Sequence, residues 1–150
     1  MKTKKSVEKT QTKQIIKKQD RYKAKILVAE DNLANQELLK HILDTLEIEC
    51  TMTNNGLEAF EEFKQNSYPL ILTDINMPIM DGVEAFKQIR AYEEEHQLGK
   101  TPIIAVTANA IKGDKERFLE LGMDDYISKP INTTDLKNIL NRYLSNTKEN

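Results

Sequence analysis

Four apolar runs in this chain end on residues equipped for chemistry. They are Ile26-Leu27-Val28-Ala29 before Glu30-Asp31, Leu70-Ile71-Leu72 before Asp74, Ile103-Ile104-Ala105-Val106 before Thr107, and Tyr126-Ile127 before Lys129. In a parallel sheet every strand points the same way, so groups at the carboxyl ends converge on one crevice, where open α/β sheets take their ligands. Three carboxylates, a hydroxyl and an ammonium would meet there. Any one of them alone could simply mark where a strand reaches solvent. Together they are harder to dismiss, because clustered carboxylates without a cation raise one another's pKa.

Glu30 and Asp31 are adjacent, so on a regular strand they would point to opposite faces; both can address one ion only where the strand turns into its loop. With Asp74 they offer hard oxygen ligands, which suit Mg2+, an ion that takes one or two carboxylates and keeps room for phosphate oxygens. No His or Cys cluster has ligand spacing, which disfavours zinc and redox metals. Magnesium beside a carboxylate suggests phosphoryl transfer. That reaction needs an in-line nucleophile and cations for the equatorial oxygens: Asp74 as nucleophile forming an acyl phosphate, Lys129 and Mg2+ as charge, Thr107 as hydroxyl donor. Neither GxxxxGK nor GxGxxG occurs, so the phosphoryl donor is not a nucleoside triphosphate held by such a loop.

These residues need elements to hold them. From Lys25 onward strand-like and helix-like patterns alternate five times with short polar connections, the pattern of a parallel sheet covered by helices. The first helix is expected from Leu33, burying Leu39, Ile42, Leu43 and Leu46 and leaving His41 off the stripe. A second strand covers Ile48 to Thr53, with Ile48, Cys50 and Met52 as one buried face, and Asn54-Asn55-Gly56 leads to a helix turning Leu57, Phe60 and Phe63 inward. Pro69 begins the third strand. Asp81-Gly82 opens a helix with Val83, Phe86 and Ile89 inward and an exposed acidic end at Glu93-Glu94-Glu95, closed by Gly99. A helix from Ala110 to Leu121 should end at Gly122 in the left-handed conformation, a short strand spans Asp124 to Ile127, and Thr133-Thr134-Asp135 caps a helix carrying Leu136, Ile139, Leu140, Tyr143 and Leu144.

At 150 residues the chain is about one domain long. No apolar run reaches the roughly 18 residues of a membrane span, and the lysine-rich start lacks a signal-peptide core, so a cytoplasmic protein without membrane insertion is expected. The lone Cys50 reads as core packing. The formal net charge of -2 hides an asymmetry: residues 1–25 carry ten Lys/Arg against Glu8 and Asp20, a net of +8, and the rest carries -10. Without aromatic or arginine-rich patterning, the basic stretch reads as a solvated leader, and no nucleic acid binding by this domain is expected. His41 and His96 read as exposed helix residues.

Taken in order, Glu30-Asp31-Asn32, the stretch Asp74-Ile75-Asn76-Met77-Pro78-Ile79-Met80-Asp81-Gly82, Thr107-Ala108-Asn109 and Tyr126-Ile127-Ser128-Lys129-Pro130 resemble the receiver domain of two-component response regulators. The resemblance divides the chain into a basic leader (1–23), a receiver domain (24–146) and a polar tail (147–150). It implies a doubly wound α/β fold of the flavodoxin-like kind, five parallel strands in order 2-1-3-4-5 with five helices, an order that spacing alone does not give. It implies that Asp74 accepts a phosphoryl group from a phosphohistidine on a histidine kinase or histidine phosphotransfer protein. Mg2+ would be surrounded by Glu30, Asp31, Asp74 and the backbone carbonyl of Asn76, with Lys129 and Thr107 on the phosphoryl group and Asn76 and Asn109 tuning its lifetime. It also implies a switch, in which Thr107 moves toward the phosphate and Tyr126 turns inward over the small Ala108, read on the face from the fourth to the fifth helix, which could also form a homodimer.

Glu30 stands where many members of that family have Asp, and with Asn32, Asn35 and Gln36 it resembles the receiver modules of hybrid sensor kinases. No turnover of an external metabolite is expected. Two alternatives remain: a phosphorylation-independent interaction module that keeps only the fold, and an aspartate-based Mg2+ phosphatase. The latter wants a second Asp two positions after the nucleophile, where this chain has Asn76 and hence no general acid.

Overall fold

A computed structural model describes residues 24–108 and 114–145. Five strands, β1 (Lys25–Ala29), β2 (Glu49–Thr53), β3 (Ile71–Asp74), β4 (Ile103–Thr107) and β5 (Asp125–Ser128), form one parallel sheet in the order β2-β1-β3-β4-β5. Five α-helices alternate with them: α1 (Leu33–Thr45), α2 (Gly56–Gln65), α3 (Gly82–Glu95), α4 (Asp114–Leu121) and α5 (Thr133–Leu140), the last running into a π-helical turn at Asn141–Ser145.

The continuous apolar runs follow from burial on both faces of the sheet. Side chains alternate along a strand, so Ile26 and Val28 join Leu72, Ile104 and Val106 in a core layer closed by Leu39, Ile42 and Leu43 of α1 and Leu136, Ile139 and Leu140 of α5. Leu27 and Ala29 enter the opposite layer with Ile71 and Ile103, under Ala59 and Phe63 of α2, Phe86 and Ile89 of α3 and Phe118 of α4. Burying each of these large side chains contributes about 1.5–3 kcal/mol.

Asx side chains start four helices. Asn32, Asn55, Asp81 and Asn132 each accept the backbone N–H three residues on, from Asn35, Glu58, Glu84 and Asp135, at 2.8–2.9 Å. Each bond satisfies an orphan donor of a first turn. The cap of α5 is thus Asn132, one residue before the expected Thr133-Thr134-Asp135.

Three helices end in one way. In α1, Ile48 N–H donates to Leu43 O at 2.9 Å and Glu47 N–H to Asp44 O at 3.0 Å; in α3, Leu98 N–H reaches Glu93 O at 2.8 Å and Gln97 N–H reaches Glu94 O at 3.2 Å; in α4, Met123 N–H reaches Phe118 O at 3.1 Å and Gly122 N–H reaches Leu119 O at 3.0 Å. This is the Schellman pattern, with a left-handed residue followed by an apolar one. Gly122 takes that place as expected (φ 109), whereas α3 ends at Gln97 (φ 57), not Gly99, and α1 at Glu47 (φ 63).

Other expectations need correction. Leu57 is exposed, because the inward face of α2 is set by Gly56, Ala59 and Phe63, spaced i, i+3, i+7, and Leu57 lies a third of a turn away. Cys50 and Met52 are only half-buried, since β2 is an edge strand; burial raises the Cys50 thiol pKa. The third strand begins at Ile71, not Pro69. Helix α4 is described from Asp114, and the expected start at Ala110 lies outside the described residues.

Glu93 departs most from its reading as solvated surface. Only 2% of it is exposed. Its Oε1 meets Arg90 Nη1 at 2.8 Å and its Oε2 accepts Thr101 N–H at 2.8 Å. Arg90 also reaches Asp124, at 3.1 Å, and Asp124 accepts Ile103 N–H at 2.8 Å, so this network ties the end of α3 to the starts of β4 and β5.

Candidate functional site at the strand ends

The site is built by sheet register. Ala29 pairs with Thr73, which sets Glu30 beside Asp74; Asp74 pairs with Val106, and Thr107 with Ser128, so the next residues of β1, β4 and β5 surround the end of β3. Glu30 N–H still bonds Thr53 O at 3.0 Å, continuing the ladder one residue past β1, and Lys129 N–H bonds Thr107 O at 2.9 Å in the same way beside β4. Glu30, Asp74 and Thr107 are therefore buried, while Asp31, already in the turn, is exposed.

The loop after β3 folds back onto the strand. Gly82 N–H donates to Ile75 O at 2.9 Å, and a Cβ at Gly82 would stand 2.1 Å from Asp74 O, so this approach requires glycine. The same loop holds Ile79 at φ 70, a strained conformation for a β-branched residue. Sequence reading gave no sign of that strain.

Lys129 Nζ lies 3.0 Å from Asp74 Oδ2 and 3.3 Å from Glu30 Oε1. Asp74 Oδ1 accepts Ile75 N–H at 2.8 Å. One carboxylate oxygen from each of Glu30, Asp31 and Asp74 lies within 4.8 Å of the others. Burial raises the Asp74 pKa, the Glu30 charge adds to this, and Lys129 and the Ile75 N–H offset only part of it. Burial alone would lower the Lys129 pKa, but Asp74 and Glu30 hold its proton and the net direction is up. Three carboxylates against one ammonium leave the cluster short of positive charge. An all-oxygen donor set of that kind fits a hard divalent cation.

Two polar residues of α1 hold Glu30 in ways the sequence did not signal. Glu30 Oε2 accepts Asn32 N–H at 3.0 Å and Asn35 Nδ2 at 3.3 Å, and Gln36 Nε2 donates to Glu30 O at 2.6 Å and to Asn54 Oδ1 at 2.8 Å. Of the remaining expected residues, Asn76 is exposed in the loop after β3 and Ala108 is exposed just past β4. Tyr126 is half-buried against the second core layer, with Lys115 Nζ 5.5 Å from its ring centre. Asn109 lies outside the described residues.

The family model described as response regulator receiver domain matches residues 26–141. The chain belongs to that family. This receiver domain is 48% identical over 122 residues to hybrid signal transduction histidine kinase I of Dictyostelium discoideum, a match covering 78% of this chain and 7% of that protein. Across four such kinases the chain spans 4–16% of the relative's length. Among solved structures, it resembles the receiver domain of sensor histidine kinase PA1611 from Pseudomonas aeruginosa PAO1, which has magnesium coordinated in its active site cleft (38% identity, TM-score 0.73, covering 81% of this chain and 98% of that one). It also resembles a chain from the co-crystal structure of the Saccharomyces cerevisiae histidine phosphotransfer signalling protein Ypd1 with the receiver domain of Ssk1 (32% identity, TM-score 0.76, covering 81% and 88%).

The fold and strand order expected from the resemblance are those observed. The chain is a receiver domain of two-component signalling, akin to those of hybrid histidine kinases. Among the described residues no helix is long and apolar enough to cross a membrane.

Proposed function

We propose that this receiver domain is the aspartyl phosphoacceptor of a phosphorelay, with Asp74 taking the phosphoryl group from a phosphohistidine on a histidine kinase or histidine phosphotransfer protein. One observation carries the reading: Asp74 is buried at a strand end, 3.0 Å from the Lys129 ammonium and within reach of two further carboxylates. An Asp74 oxygen bonds to phosphorus as the P–N bond to the donor imidazole breaks; the nitrogen keeps the electron pair and takes up a proton. Lys129 turns its charge to the new phosphoryl oxygens, and Thr107 donates its hydroxyl to one of them. Glu30, Asp31, Asp74 and the Asn76 carbonyl hold Mg2+. Bound there, the ion supplies the positive charge that the cluster lacks and neutralises the incoming phosphoryl oxygens.

The magnesium in the PA1611 receiver and the Ypd1–Ssk1 complex support this choice of ion and of partner class. In the same reading Asn76 and Asn109 tune the phosphate lifetime, and phosphorylation draws Thr107 in and lets Tyr126 follow past Ala108. That change alters the face from α4 to α5 for a downstream partner or a second copy. Residues 1–23 are a leader outside the receiver unit of 24–146, 147–150 are a polar tail, and the domain works in the cytoplasm.

Incubation of the full chain with acetyl phosphate and MgCl2, followed by intact mass, tests this. The wild type is expected to gain one phosphoryl group, and both the EDTA-treated protein and Asp74→Asn none. A folded wild type that gains nothing would overturn the reading in favour of a phosphorylation-independent interaction module.

A further inference from the structure

Glutamate at position 30 carries one more methylene than aspartate, and a longer buried side chain costs more rotamer entropy to hold still. The fold fixes it from both ends. At the backbone, Glu30 N–H bonds Thr53 O at 3.0 Å and Glu30 O accepts Gln36 Nε2 at 2.6 Å. Gln36 is itself buried, and its second bond runs to Asn54 Oδ1 at 2.8 Å. Asn54 is held in turn by Glu58 Oε1, which accepts its N–H at 2.8 Å and its Nδ2 at 3.1 Å.

At the carboxylate, Oε2 takes two donors, Asn32 N–H at 3.0 Å and Asn35 Nδ2 at 3.3 Å, while Oε1 faces Lys129 at 3.3 Å. Two donors fill the lone-pair positions of Oε2. The oxygen left to face the cleft is Oε1. Asn35 can do this because its own backbone N–H is fixed by the Asn32 cap at 2.9 Å, which sets its side chain over Glu30 from the first turn of α1.

We infer that Asn35 is a positioning residue for the cleft: it holds the Glu30 carboxylate so that Oε1 is presented to the cation, and it serves this purpose because position 30 is Glu rather than Asp. An aspartate there would draw its carboxylate back by about 1.5 Å, one C–C bond. From 3.3 Å, that puts the Asn35 amide out of hydrogen-bond range. The inference rests on the reading that Glu30 serves a Mg2+ site, and the test separates the two.

The test is a double-mutant cycle on the full chain, reading Mg2+ affinity from amide chemical shifts during MgCl2 titration, without any phosphodonor. Asn35→Ala is expected to weaken Mg2+ binding about tenfold with Glu30 present, the low end for loss of a group that orients a metal ligand, because Asn32 N–H remains. In a Glu30→Asp background the same substitution should change affinity less than twofold. Asn35→Leu, close to asparagine in shape but without a donor, should behave as Asn35→Ala, and Mg2+-free spectra should report an unchanged fold for both. Equal losses in the two backgrounds, or no loss beside a wild type that binds Mg2+, would overturn the positioning role. A wild type that fails to bind Mg2+ would overturn the cation-site reading and this inference with it.

Discussion

Asp74 is placed where an ionised carboxylate is expensive. Burial, and then the neighbouring Glu30, raise its pKa beyond what Lys129 and the Ile75 N–H restore. The folded protein therefore holds the Asp74 proton more tightly than the unfolded chain, whose aspartates titrate near about 3.9. The contribution of Asp74 to stability is present below that value and is lost as pH rises through the higher folded pKa. The raised Lys129 pKa acts elsewhere: its contribution holds below the unfolded lysine value of about 10.4 and is lost only above it. In Mg2+-free buffer at pH 7, Asp74→Asn should thus be more stable than wild type by on the order of 1 kcal/mol, about 2–4 °C in midpoint for a chain of this size. The gap should close toward pH 4. Thermal unfolding followed by circular dichroism checks this, and an Asp74→Asn protein less stable than wild type at pH 7 would mean that the Lys129 attraction outweighs burial. The acidic residues were legible in the sequence because each ends an apolar run. Their support was not, because the Asn35 and Gln36 contacts depend on where the first turn of α1 sits over Glu30.

At the scale of elements, the end of α3 separates what pattern reveals from what tertiary contact decides. Glu93-Glu94-Glu95 has the composition of a solvated helix end, yet Glu93 is buried against Arg90 and Thr101. Arg90 is one turn back on the same helix, but Thr101 becomes adjacent to Glu93 only when α3 docks beside β4. Glu93→Ala would strand the Thr101 N–H and leave Arg90 with Asp124 and the Thr101 carbonyl but without its buried carboxylate partner, so a loss of about 2–3 kcal/mol is expected in urea unfolding. Glu93→Gln keeps an acceptor for Thr101 and should cost less. Glu94→Ala, on the exposed side, should stay within about 0.5 kcal/mol of wild type, and a Glu93→Ala loss no larger than that would contradict the network. Helix ends tell the same story. Gly122 advertised its left-handed turn, but Glu47 and Gln97 adopt positive φ at the same place in the same motif, where bonds to Leu43, Asp44, Glu93 and Glu94 carbonyls offset the strain. Their residue types gave no signal.

At the scale of the whole molecule, alternation of apolar runs with amphipathic stretches was enough to specify a parallel sheet covered on both faces, because runs such as Ile26-Leu27-Val28-Ala29 have no polar side to expose. The order β2-β1-β3-β4-β5 was not readable from spacing, since helical connections of similar length permit several orders; it came through the family resemblance. That order puts β3 at the centre, so its terminal Asp74 is flanked by Glu30 from one side and by Thr107 and Lys129 from the other. The central claim is that this convergence makes Asp74 the phosphoacceptor. Its most direct measurement is to phosphorylate the full chain with acetyl phosphate and MgCl2, reduce the acyl phosphate with borohydride to homoserine, and locate that residue by tandem mass spectrometry. The account predicts homoserine at position 74 and nowhere else. Conversion of Glu30 or Asp31 instead, or a stable label on His41 or His96 with position 74 untouched, would contradict it.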